Sequence, residues 1–152
     1  MSATQGVIVA LQAFQVVILW THDWLPLGRL NDVGAVRAAD STARLVRITV
    51  VQSLPFTLLL AWSASRVGHP WHALWAWLFG AHAALFAGEL KAWWIPYAVG
   101  TNAARTQRAR EIFGGTHAFL PERHGIRPNT LHATLHAATL GTLVALAVLA
   151  WR

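Results

Sequence analysis

The chain has 152 residues, 55% of them hydrophobic and only 12% charged, and a mean hydropathy of +0.43. That is too much apolar surface for a soluble domain of this size, so the chain reads as an integral membrane protein, a single domain over residues 1–152 with no Ser- or Gly-rich linker. The net charge of +6 suits insertion topology and anionic headgroups and argues against a nucleic-acid partner, while the absence of Cys excludes disulfides, thiolate metal sites and cysteine nucleophiles.

Crossing the hydrocarbon takes about 20 mostly apolar residues wound as a helix, and four segments qualify: 6–25, 45–65, 73–99 and 129–151. The first has no Lys or Arg before it and no small-residue cleavage site, which marks a retained helix and not a secretion signal. Gln12, Gln15 and His22 share one edge of it at spacings of three and seven. The connection that follows, "THDWLPLGRLND" and beyond, carries Arg29, Arg37 and Arg44, with His22 and Asp23 at its border. In the second span Pro55 is expected to kink the helix. The next connection, "RVGHPWH", is short and offers only Arg66; His69 and His72 read as interfacial.

The third span places Glu89 in an apolar and aromatic run, "ALFAGELKAWWIPY". His82, Glu89 and Trp93 fall on one face, because spacings of seven and four return close to the same angle. Lys91 points away and can snorkel to the headgroups, and Trp93, Trp94 and Tyr97 read as an interfacial belt in which Trp93 alone shares the Glu89 face. Residues 100–128 form an ordered connection rich in Arg (Arg105, Arg108, Arg110, Arg123, Arg127), with an amphipathic helix over 103–113. Beyond it, "GGTHAFLPERHGIRPN" has the Gly and Pro punctuation of a loop that folds back as a lid and delivers His117. The fourth span lines up Asn129, His132 and His136. Small residues recur every fourth position in the third span (Ala76, Gly80, Ala84, Gly88, Ala92) and in the fourth (Ala133, Ala137, Gly141, Ala145), a pattern for close helix packing in lipid.

The basic connections, one and three, are expected in the cytoplasm; the N-terminal tail holds no basic residue and the C-terminus ends in Arg152. The expected fold is therefore an all-α, up-down-up-down membrane four-helix bundle with both termini extracytoplasmic, in a bacterial inner (plasma) membrane. By the helical rise Glu89 and His136 lie at matching depth, roughly 10 to 15 Å inside the cytoplasmic boundary. A polar pocket on that side follows, with Glu89, His136, His132, His22 and Asp23 as candidate catalytic residues and Trp93, Asn129, His82, Gln15 and His117 as candidate substrate contacts. Asp32, Asp40, Glu111 and Glu122 read as solvated partners of nearby Arg.

Three functional classes fit these residues. Burial brings the proton affinities of a carboxyl and an imidazole closer together, which suits a membrane isomerase, hydratase or lyase acting on a lipophilic or amphiphilic small molecule. Glu89 as the cation and proton site of a transporter working as a homo-oligomer is the second. The third is a non-catalytic binder or subunit. Cofactors are unassigned: His132 and His136 at i, i+4, with Glu89, are the set for a metal, and the same His pair could serve a haem only with an axial ligand from another helix. Small multidrug exporters resemble this chain in having four short helices and a membrane Glu among aromatics, but their essential Glu sits on the first helix, where this chain has none.

Overall fold

The computed structural model describes residues 2–151, apart from the side chains of His72 and Ala73. Arg152, and the His72 side chain read as interfacial, lie outside the described residues. Among the described residues the fold is all-helical, with no named strand. Four long helices carry it: α1 (Ala3–Thr21), α3 (Thr42–Ser65), α4 (His72–Glu89) and α7 (Thr130–Ala150). The first connection holds a 3-10 turn (Gly28–Leu30) and the short α2 (Val33–Ala39). From α4 the chain runs through a π turn (Leu90–Trp94) into α5 (Ile95–Val99), and then into α6 (Ala103–Phe113). The helix expected at 103–113 is thus present.

The starts of these helices are written in short polar side chains. Ser2 caps α1 in a reciprocal box with Gln5, Ser41 accepts from the Arg44 N–H, and Asn129 accepts from the His132 N–H, each satisfying an orphan donor of the first turn. The helix α3 runs on through Pro55 as one element.

Three helices, α1, α3 and α7, are long and apolar enough to cross a membrane, which makes this a membrane protein. The expected third span is not among them. His82 and Glu89 dilute its apolar residues, and the regular α-helix stops at Glu89 where the sequence pattern carries it to Val99.

Packing runs from α3 to α1, from α1 to α7, and from α7 to α4. At one end Ile8, Trp71, Leu78 and Leu146 form a buried apolar cluster, and the Trp75 indole N–H donates to the Leu146 carbonyl at 2.6 Å. Gln5 there donates to the His69 carbonyl at 2.8 Å. At mid-height Leu19, Phe56 and Leu135 pack together. At the opposite end Val36, Leu45 and Ile112 join α2, α3 and α6. The two basic connections therefore meet at one end of the bundle.

The two small-residue stripes behave differently. On α7 Ala133 is buried and a Cβ on Gly141 would touch Leu11 of α1 at 3.4 Å, as close packing requires, although Ala137 between them is exposed. On the α4 side Ala76, Gly80, Ala84, Gly88 and Ala92 are all exposed, and a Cβ at Gly80 or Gly88 would meet nothing within 4 Å. The expectation that both stripes pack against a neighbouring helix is corrected for α4: its large inward side chains, Leu78 and Leu85, take the contacts.

Candidate functional site

The site lies at the end where the basic connections meet, in two adjoining cavities. The upper, about 280 Å³, is bounded by α2, α3, α6 and the π turn. The lower, about 190 Å³, reaches down between the long helices to Glu89 and His136. His22, Gln52, Ala92, Trp93 and His132 line both, so they form the passage from one to the other.

The π turn explains how the aromatic wall is made. In a regular α-helix successive side chains diverge by about 100°, so Trp93 and Trp94 could not both reach α7. One wide turn, closed by the Ile95 N–H on the Leu90 carbonyl, changes that. Trp93 lies against His132 with ring centroids 4.3 Å apart, and the Trp94 indole N–H donates to His136 Nδ1 at 3.0 Å. Phe113 of α6 closes the cluster, 4.9 Å from Trp93 and 5.2 Å from His132.

The same region holds Pro96. The regular α partner of the Ala92 carbonyl is the N–H of residue 96, which proline lacks. Arg105 of α6 supplies a guanidinium N–H to that carbonyl instead. A backbone acceptor exposed by Pro96 is thus answered from the connection, which ties α6 to the π turn.

Hydrogen bonds set the proton positions on the rings. His136 accepts at Nδ1, so its neutral form carries the proton on Nε2. His132 Nδ1 lies 2.7 Å from Asn129 Oδ1, an acceptor, so its neutral form leaves Nε2 as the lone-pair nitrogen. His22 Nδ1 likewise donates to the Ile18 carbonyl at 3.0 Å. Its Nε2 stands 3.3 Å from Asp23 Oδ1, and these two atoms have one proton to share. Burial pushes the Asp23 carboxyl above the usual carboxylate range; His22 pulls it down and Asp40 adds to the rise.

Glu89 is half-buried. Its Oε1 accepts from Thr139 at 2.7 Å, and its buried Oε2 has no hydrogen-bond partner among the described residues. Glu89 and His136 both line the lower cavity, with no hydrogen bond between them.

Of the remaining candidates, Trp93 lines both cavities, and Asp23 lines the upper. The other four stand elsewhere. Asn129 is the cap of α7. Gln15 donates to Thr142 at 3.2 Å, and His82, wholly buried, lies 3.3 Å from Gln12 while its Nδ1 donates to the Leu78 carbonyl. Both make interhelical bonds at mid-height. His117 is exposed and bonded to Thr130 at 2.7 Å, and the cavity is roofed by the helix α6 with Ile126 of the connection, not by His117. The metal set also does not assemble: among the described residues no group of three His, Asp or Glu is placed to hold an ion.

Sequence reasoning passed over Arg105, Arg108, Phe113, Trp94 and Asp40. The last was read as solvated, yet it is only 9% exposed and receives Arg108 from α6 and Arg44, the latter at 3.1 Å. Its place four residues before Arg44 was visible in the sequence; its burial depends on α6 folding over it. By contrast the Arg110–Glu122 pair, 2.9 Å apart, is exposed as expected.

Set against protein-family models, curated proteins and solved structures, the chain matches none of them. Its chemistry is read from its own geometry.

Proposed function

We propose that this chain is a four-span membrane protein, with α4 and its continuation to Val99 as the third span, that binds an amphiphilic small molecule and performs acid/base chemistry on it. The charge of the basic connections supports a site on the cytoplasmic side, with both termini outside, in a bacterial inner membrane. One observation carries the reading: Glu89 and His136 line the lower cavity without bonding to each other, and the passage above them is walled by Trp93, His132 and His22. A carboxyl oxygen with no partner is costly in such surroundings, and a ligand's polar group is a natural partner for it.

In this scheme Glu89 takes a proton from one position of the bound molecule and returns it at another, an isomerisation, while the His136 Nε2–H, its ring held at Nδ1 by Trp94, donates a hydrogen bond to the oxygen on which negative charge develops. Thr139 holds the carboxyl and Trp94 holds the imidazole, so each acid/base group is oriented by a neighbour. Trp93 supplies a flat apolar wall. The His22–Asp23 pair sits higher and can pass a proton toward the connection side.

The test is Glu89→Gln and His136→Gln in protein reconstituted into liposomes, with chemical turnover and proton flux followed in parallel on lipid-extract fractions. Loss of turnover with no effect on flux supports the reading. Proton-coupled flux that Glu89→Gln abolishes would overturn it in favour of a transporter.

A further inference from the structure

Two features of the cavities play no part in that proton chemistry. The first is charge. The upper cavity carries Arg105 and Arg108. Arg108 and Arg44 share the single carboxylate of Asp40, which leaves a positive charge over. Arg105 bonds a neutral carbonyl and keeps its full charge. The other carboxyl on this wall is Asp23, so the guanidinium groups of Arg44, Arg105 and Arg108 stand against the carboxyls of Asp23 and Asp40. The rim is net cationic, and guanidinium groups suit carboxylate and phosphate oxygens.

The second feature is a gap. Gly88 and Ala92 line the lower cavity and are nevertheless exposed at the helix surface. A Cβ on Gly88 would meet nothing within 4 Å, so no side chain blocks the wall there. The connected cavities, about 280 and 190 Å³, are together of the size that accommodates a small ligand of a few hundred Å³.

We propose that the ligand is an anionic-headed amphiphile whose carboxylate- or phosphate-type head is held at Arg105 and Arg108, whose apolar part passes Trp93 into the lower cavity, and which arrives from the bilayer through the gap at Gly88 and Ala92. This rests on the reading of the site as an amphiphile pocket. It adds the head-group class and the route.

The full chain in nanodiscs is titrated with dodecyl phosphate, dodecanol, dodecyltrimethylammonium and inorganic phosphate, followed by indole fluorescence. Dodecyl phosphate is expected to bind on the order of tenfold more tightly than dodecanol, with the cation weakest, since each guanidinium–anion bond is worth about that factor. Arg105→Gln with Arg108→Gln should bring the phosphate to the dodecanol level and leave dodecanol unchanged. Gly88→Trp should slow association from the bilayer. Equal binding of phosphate and alcohol, or tighter binding of the cation, overturns the head-group assignment while leaving the amphiphile reading intact. Inorganic phosphate binding as tightly as dodecyl phosphate shows a free-anion site and overturns the proposal too, and an unchanged association rate in Gly88→Trp overturns the route. If no alkyl probe binds, the amphiphile reading itself fails. Should the double variant not fold, the head-group series on the unaltered protein decides alone.

Discussion

At the end of the bundle near Trp71, the helices meet through Ile8, Leu78 and Leu146, all fully buried, and Gln5 and Trp75 each donate to a carbonyl, beside a cavity of about 390 Å³ and a buried Ser63 hydroxyl with no partner among the described residues. At the end near the π turn, the same helices α1 and α7 present His22, His132 and His136, the helix geometry is irregular, and a carboxyl oxygen has no partner. The contrast gives one end an apolar clamp and the other the histidine-lined cavities to which the proposed chemistry belongs. An apolar clamp of Ile8, Leu78 and Leu146 holds α1, α4 and α7 at one end, and what sets the other end apart is the kind of side chain lining its cavities, three imidazoles and three carboxyls among the apolar residues.

The largest effect should come from loosening the clamp. Leu78→Ala or Leu146→Ala removes a side chain with no exposed surface and should cost about 2–5 kcal/mol, read as a lowered midpoint in denaturation of the detergent-solubilised protein. Glu89→Gln keeps an oxygen for Thr139 and places an amide where Oε2 has no partner, so its stability change should stay within about 1 kcal/mol while the acid/base function is lost. If Glu89→Gln proves as destabilising as Leu78→Ala, the division between the two ends does not hold.

Next comes the roof. Asp40 joins α2 to α6 through Arg108, and both guanidiniums that reach it are partly exposed, with side chains 51% and 38% accessible, so solvent screens the pair. Asp40→Asn is expected to cost about 1–2 kcal/mol, less than a clamp variant, and to show itself locally as faster proteolysis or hydrogen exchange within α6. Uniform destabilisation of the whole bundle would show that the roof and the clamp are a single unit.

How far could this contrast be read before the fold was known? The spans at α1, α3 and α7, and the helix α6, follow from hydropathy and a 3.6-residue period. The same arithmetic brings Glu89 and Trp93 to one face and His132 and His136 to another. It fails where the backbone leaves that period: Trp94, which reaches His136, lies in the π turn. It fails also where a polar side chain serves the backbone. Asn129 looked like a pocket residue because it lies one turn before His132, yet its position just ahead of an apolar helix is that of a cap. Gln15 and His82 share polar edges with the site residues but lie deeper, where each finds a partner on the next helix. The inward-facing Arg105 and the burial of Asp40 both depend on how the connection folds back, and periodicity within a helix carries no information about that.

A smaller effect concerns pH at the upper cavity. Asp23 faces His22, Asp40, Arg105, Arg108 and His132 around that space. Because burial raises its carboxyl above the ordinary range, the group is neutral at low pH and turns negative as pH rises through that raised value. A permanently charged anion such as dodecyl sulfonate should therefore bind more tightly below it and more weakly above, by about two- to fivefold for one added charge in a partly solvated site. Asp23→Asn should flatten this limb and leave the tighter level at all pH. A binding curve that keeps its slope in Asp23→Asn would assign the titration to another group.

The smallest effect tests the irregular backbone itself. If Arg105 is needed because Pro96 cannot serve the Ala92 carbonyl, restoring an N–H at position 96 should make Arg105 partly redundant. Arg105→Ala alone should cost about 0.5–1.5 kcal/mol, the usual worth of a hydrogen bond, and less in the Pro96→Ala background. The coupling between the two changes should come to about 0.5–1 kcal/mol, within reach of a double-mutant cycle on the purified protein. The sign carries the argument: a regular turn that satisfies its own carbonyl releases α6, so Pro96→Ala should also quicken hydrogen exchange in α6 even as it stabilises the helix that contains it. Strictly additive costs would mean that Arg105 and Pro96 contribute independently, and the roof would then be held by Asp40 and the apolar contacts of Ile112 and Phe113.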